Sequence, residues 1–135
     1  MRRSGPPPYR KFRAMGKQKD KGTRRETAVV RLFQSHGLEA ERAQNNAAAK
    51  DVNLRVRELR FAVEVKDRQQ LALHKTLATV VENWKDEVPA VVWHKTEKPD
   101  GGRARPAGPT LIALRLDDFA MLMARLGEKN EELEG

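Results

Sequence analysis

The sequence predicts an α/β fold in which a mixed central sheet is flanked by helices, and three features carry that expectation. In residues 61–66, Phe61, Val63 and Val65 alternate with Glu64 and Lys66, the period-two pattern of a half-buried strand. Residues 51–56 alternate in the same way, and only Arg57 and Glu58 need lie between Val56 and Leu59, which is hairpin spacing. Around this hairpin, apolar residues at helical spacing alternate with short apolar runs, the order that a sheet covered by helices requires.

Taken from the start, residues 1–22 mix Pro, Gly, Lys and Arg with Tyr9 and Phe12 and show no apolar periodicity, so a flexible basic arm is expected. Thr23-Arg24-Arg25-Glu26 fits a capping box, in which Glu26 reaches back to the Thr23 amide. The helix that follows has Val29, Leu32 and Phe33 on its apolar face with Ala28 at the margin, and Gly37 can end it in the left-handed conformation. Residues 38–42 form a short strand candidate, and a polar-to-small connection leads to Asp51. In the hairpin register, Val52 faces Val63, Leu54 faces Phe61 and Asp51 faces Glu64.

Leu73, Leu77, Val80, Val81 and Trp84 recur at helical spacing, which predicts a second helix over 71–86 with Pro89 as its stop. Residues 90–93 read as a buried strand, 100–109 as a Gly/Pro loop carrying Arg103 and Arg105, and 110–114 as another strand. Asp117 or Asp118 caps a last helix through Leu126. The folded domain is therefore expected over 23–127, ahead of an acidic, frayed tail at 128–135.

A chain of 135 residues, 39% hydrophobic, suffices for one domain with a modest core. No apolar run reaches the roughly 18 residues of a membrane span. The basic start leads into Pro6-Pro7-Pro8 rather than a signal-peptide core, so a soluble, cytoplasmic protein is expected. The lack of cysteine removes disulfides and thiolate metal sites, and three scattered histidines argue against zinc. Residues 1–25 hold ten Lys or Arg against one acid, Asp20, although the whole chain has a net charge of only +8. A basic arm on a nearly neutral domain suits a phosphate polymer, from which Lys and Arg displace counterions, with a solubilising tail as the plainer alternative.

The predicted register carries chemistry as well. It sets Asp51 and Glu64 roughly 5 Å apart at Cβ, an unfavourable like-charge pair unless a hard cation such as Mg²⁺ lies between them. Lys66 shares the face of Glu64. Each residue has a plainer explanation: a capping box for Glu26, a strand start for Asp51, and for Glu64 with Lys66 an exposed ion pair worth well under ~1 kcal/mol.

Together, Glu26 on a helix, Asp51 at a strand start, and Val63-Glu64-Val65-Lys66 on its partner strand make the chain resemble the PD-(D/E)XK nuclease superfamily. With Lys21-Gly22-Thr23-Arg24-Arg25-Glu26, Ala28-Val29-Val30, Val91-Val92-Trp93 and Leu116-Asp117-Asp118-Phe119, residues 20–126 look most like the archaeal Holliday junction resolvases and their relatives from actinobacterial phages. The resemblance implies a restriction-endonuclease-like core and a Mg²⁺-dependent, dimeric, structure-selective DNA endonuclease, with Mn²⁺ a substitute metal and four-way junctions the expected DNA. It implies Asp51 and Glu64 as metal ligands, Glu26 as a further ligand directly or through water, and Lys66 as the group that orients the attacking water. Lys50 stands where the superfamily's name has proline, and alanines precede it where relatives often carry Gly, Ser and Arg.

Phosphodiester hydrolysis asks for such residues: a carboxylate-held cation to activate water, and a fixed positive charge for the phosphoryl oxygens. Arg24, Arg25, Arg42, Lys50, Arg68, Lys95, Arg103 and Arg105 are candidate DNA contacts. A DNA-binding module without catalysis, a nuclease for plain duplex or other branches, and a protein whose arm serves assembly remain open. In the last helix Phe119, Ala120, Met121, Leu122 and Met123 are consecutive and apolar, which suits a homodimer or a helix covered by the basic loop or the arm.

Overall fold

A computed structural model describes residues 24–44 and 47–134, with side chains through Glu128. The basic arm and the Thr23 half of the capping box lie outside the described residues. Residues 24–35 are helical (α1), followed by β1 (Glu39–Arg42), β2 (Val52–Val56), β3 (Leu59–Arg68), α2 (Leu73–Asn83), β4 (Val88–Glu97), β5 (Arg105–Pro106), β6 (Leu111–Leu114) and α3 (Leu116–Glu134). The strands run β1-β2-β3-β4 across one sheet, and the outer edge of β4 is shared by β6 and β5. Only β3 and β4, joined through α2, are parallel, so the sheet is mixed as predicted.

The hairpin register is the predicted one over its whole ladder, from Val52 opposite Val63 to Val56 opposite Leu59. Alternation then divides the core. Val52, Leu54, Phe61, Val63, Val88, Ala90 and Val92 pack on one side with Val29 and Val30 of α1 and with Met121 and Leu122 of α3. Ala62 and Val91 face the other way, onto Val80, Leu77 and Trp84 of α2 and the residue after it. The layers are thus helix, sheet, helix, with α1 and α3 opposite α2.

Several local expectations need correction. On α1 it is Val30, not Leu32 or Ala28, that joins Val29 and Phe33 inside, and Leu32 stays 57% exposed. The helix does stop at Gly37, whose φ is +79°: the Leu38 amide bonds the Phe33 carbonyl at 3.1 Å and the Gly37 amide bonds Gln34 at 2.9 Å, a Schellman arrangement. Pro89 does not end α2, which stops at Asn83; it lies fully buried in β4, one residue before the pairing with β6 begins. There its missing N–H breaks no rung on that side. Residues 105–106 of the basic loop form a strand against Glu97 and Thr96, closed by a turn in which the Gly102 amide bonds Pro99 at 2.8 Å and Gly101 takes a φ of +72°.

Leu116 rather than an aspartate begins α3, which puts Asp117 and Asp118 inside the first turn, where the helix dipole favours them. Asp118 there holds Arg115 at 2.7 Å. The helix continues past Gly127 to Glu134, because a glycine that keeps a helical φ costs a helix only about 1 kcal/mol and is no stop by itself.

The hairpin turn supplies a test. Arg57 has a φ of +58°, a conformation that costs a side chain roughly 1–2 kcal/mol, whereas glycine in its place loses roughly 0.5–1 kcal/mol of chain entropy. Arg57→Gly is therefore expected to raise stability by on the order of 0.5–1 kcal/mol in urea unfolding, and a clear loss would show that the turn is not as described.

Candidate active site

The start of β2 is where the regular ladder gives way. Asp51 is not a strand residue opposite Glu64, as the register extrapolates; its amide bonds the Val63 carbonyl at 2.8 Å, and its carboxylate Oδ2 accepts the Val65 N–H at 2.7 Å. A side-chain oxygen has taken the place of a main-chain acceptor. The Asp51 carbonyl is held as well, by the Ala43 amide beyond β1, at 2.9 Å. These three bonds fix the orientation of one carboxylate beside Glu64.

Glu26 arrives from α1 and Glu64 from β3, and both interact with Asp51. Burial, then a hydrogen bond and charge repulsion from Asp51, pushes Glu26 up to about 7, although Arg42 opposes the shift. Burial is also the main cause for Glu64, which is pushed up to about 8 by burial, by Asp51 and by Glu26 against the opposing charge of Lys66. Three acids predicted on separate elements are therefore brought together, with Lys66 close enough for its charge to be felt. Arg42 pairs with Glu26 at 3.6 Å. The oxygen donors gathered here are those a hard cation would use, although among the described residues no three acidic or imidazole groups already surround a single metal position.

The predicted cationic residues divide. Arg24, Arg68, Lys95 and Arg103 are exposed. Arg25 pairs with Asp67 through Nε at 3.3 Å and Nη2 at 3.2 Å, tying α1 to the end of β3, and Arg105 pairs with Glu97 across the β4–β5 ladder at 2.7 Å. Lys50 is a correction: its side chain is 6% accessible and its ammonium binds Glu87 at 3.0 Å, so it has no surface to offer DNA. A lysine between Ala49 and Asp51 gives no sequence signal of burial, because its partners lie more than thirty positions away.

Two polar residues escaped sequence reasoning. Asp67 and His94 are register partners on the parallel strands, and Asp67 Oδ1 and His94 Nε2 are buried with no hydrogen-bond partner, while His94 Nδ1 lies 2.9 Å from the Thr110 hydroxyl. The parallel register that makes them neighbours is set by the α2 crossover, which no local pattern reveals.

The chain matches no protein-family model and no curated protein. Among solved structures it is similar to Hjc of Archaeoglobus fulgidus, a Holliday junction resolvase from an archaeal hyperthermophile, with 20% identity and a TM-score of 0.41 over 70% of this chain and 84% of that one.

The raised acids make stability depend on pH. A group whose pKa is higher folded than unfolded contributes stability that is complete below its unfolded value and is lost as pH rises through its folded value. Without divalent ions the melting temperature should therefore fall between pH 4.5 and about 8, the window set by Glu26 and Glu64. Glu64→Gln, permanently uncharged, should flatten that fall in a calorimetric series, and an unchanged slope would refute the acid cluster.

Proposed function

We propose that this protein is a Mg²⁺-dependent, structure-selective DNA endonuclease that resolves four-way junctions as a homodimer. The observation that carries the reading is the meeting of Glu26, Asp51 and Glu64 beside Lys66, where burial first, and then the nearness of Asp51, makes Glu26 and Glu64 resist ionisation. A divalent cation relieves that repulsion. Mg²⁺ keeps several waters and is held by one or two carboxylates together with substrate phosphate, so a ready-made cage of protein ligands is not required.

In this reading Asp51 and Glu64 hold the cation, Glu26 assists directly or through water, and Mn²⁺ serves as a substitute. The bound ion would supply an acidified water and a positive charge against the phosphoryl oxygens. The Val65 N–H holds Asp51 in position, which spares that carboxylate reorganisation during the reaction. Lys66, on the Glu64 face, orients the water and stabilises charge on the phosphate. Arg24, Arg68, Lys95 and Arg103 are free to meet the backbone, and the arm at residues 1–22 adds salt-sensitive affinity. Among the described residues no helix is long and apolar enough to cross a membrane.

The dimer reading rests on α3. Met121 and Leu122 pack on the core, but Leu116, Phe119, Met123 and Leu126 form a stripe at helical spacing that is 79%, 47%, 45% and 57% exposed. Leu111 and Ile112 on the neighbouring β6 are also open. An apolar stripe of this extent suits a two-fold contact with a second copy.

Glu64→Ala or Lys66→Ala should lower nicking of a four-way junction by on the order of 10²–10³-fold while leaving junction binding in Ca²⁺ intact. Wild-type cleavage in either variant would dismiss the assignment, and binding without cleavage by the wild type would leave a non-catalytic DNA-binding module. Phe119→Glu with Met123→Glu should halve the mass seen in light scattering and convert paired cuts in a cruciform plasmid to single nicks. A wild-type protein that is monomeric at micromolar concentration and leaves only nicked circles would end the resolvase reading.

A further inference from the structure

Among the described residues Lys50 is the one charged residue in the buried core, and it adjoins Asp51. Its ammonium contacts both Glu87 oxygens, at 3.0 and 3.1 Å, and lies 3.5 Å from the centroid of the Trp84 ring. The indole N–H of the same Trp84 donates to the Ala48 carbonyl at 2.6 Å. Between these two anchors Ala49 takes a φ of +54°, a left-handed conformation unfavourable for any residue with a side chain. The chain entering β2 is thus bent at Ala49 and gripped on both sides of the bend by the end of α2 and the turn after it.

A buried ion pair contributes little to stability, since desolvation offsets the attraction and an apolar pair of similar volume often serves as well or better. What the cluster supplies instead is a single conformation for the segment that delivers Asp51. We propose that Lys50, held by Glu87 and Trp84, is a positioning residue that sets the Asp51 carboxylate for cation binding; the proposal rests on the metal-dependent reading above. A lysine acting only through its charge would oppose a cation nearby, so removing it would tighten binding. A positioning lysine predicts the reverse.

The test uses the full chain, with Ca²⁺ affinity measured by calorimetry and stability by thermal melting without divalent ions. Lys50→Met/Glu87→Leu removes both charges together, which leaves net charge unchanged and no carboxylate orphaned. This variant should melt close to the wild type yet bind Ca²⁺ about tenfold more weakly or worse, the scale of loss when a supporting partner of a metal ligand is removed. Trp84→Phe keeps an aromatic face and loses only the bond to Ala48, and it should show a smaller loss in the same direction. Wild-type or tighter Ca²⁺ affinity in the folded double variant overturns the proposal, as does unchanged affinity in Trp84→Phe should the double variant fail to fold. If the wild type itself binds no Ca²⁺, Mg²⁺ or Mn²⁺, the metal-dependent reading fails and the role of Lys50 fails with it.

Discussion

The pairing of β2 with β3 in a single register governs both faces of the sheet. Side chains alternate with a period of two, so a slip of β3 by one residue would turn Phe61 and Val63 away from the face they share with Val52 and Leu54 and carry Glu64 and Lys66 onto it. Burial of four apolar residues on one face thereby determines where two charged ones emerge on the other. The chemistry of the site is set by hydrophobic packing on the opposite side of the sheet.

At the end of that ladder a carboxylate does the work of a peptide group. Because Asp51 accepts the Val65 N–H through Oδ2 and also interacts with Glu26 and Glu64, one carboxylate serves both the fold and the acid cluster. The acids gathered there disfavour the fully ionised state, a cost that is relieved by whatever neutralises the cluster. The buried Lys50 cluster belongs to the same pattern, since it contributes geometry where an apolar pair would contribute at least as much stability.

The exposed edge of the molecule carries its own tension. β6 and α3 together present apolar side chains that the described fold leaves uncovered, while the inward side of α3 closes the core through Met121 and Leu122. Five consecutive apolar residues cannot all face one layer on a helix, so residues 119–123 cover more than one face. In the proposed homodimer a two-fold partner would cover this outer stripe and bring two copies of the acid cluster into one particle.

Elements whose signals are local can be read from the residues alone. Alternation and a two-residue gap sufficed for the hairpin and its register, helical spacing for α2, and Gly37 for the end of α1; the mixed α/β layering followed from their order. Glu26, Asp51, Glu64 and Lys66 were legible because each sits at an element boundary or on a strand face that alternation assigns. Tertiary structure decided the rest. Only packing could choose Val30 over Leu32, bury Lys50 against Glu87 and Trp84, bring Asp67 beside His94, and add β5 to the edge of β4. It also replaced the extrapolated Asp51–Glu64 rung with a side-chain bond to Val65. The reason is common to all of these: periodicity reports which way a side chain faces within its own element, whereas burial and ion pairing depend on groups tens of residues away that only the fold makes neighbours.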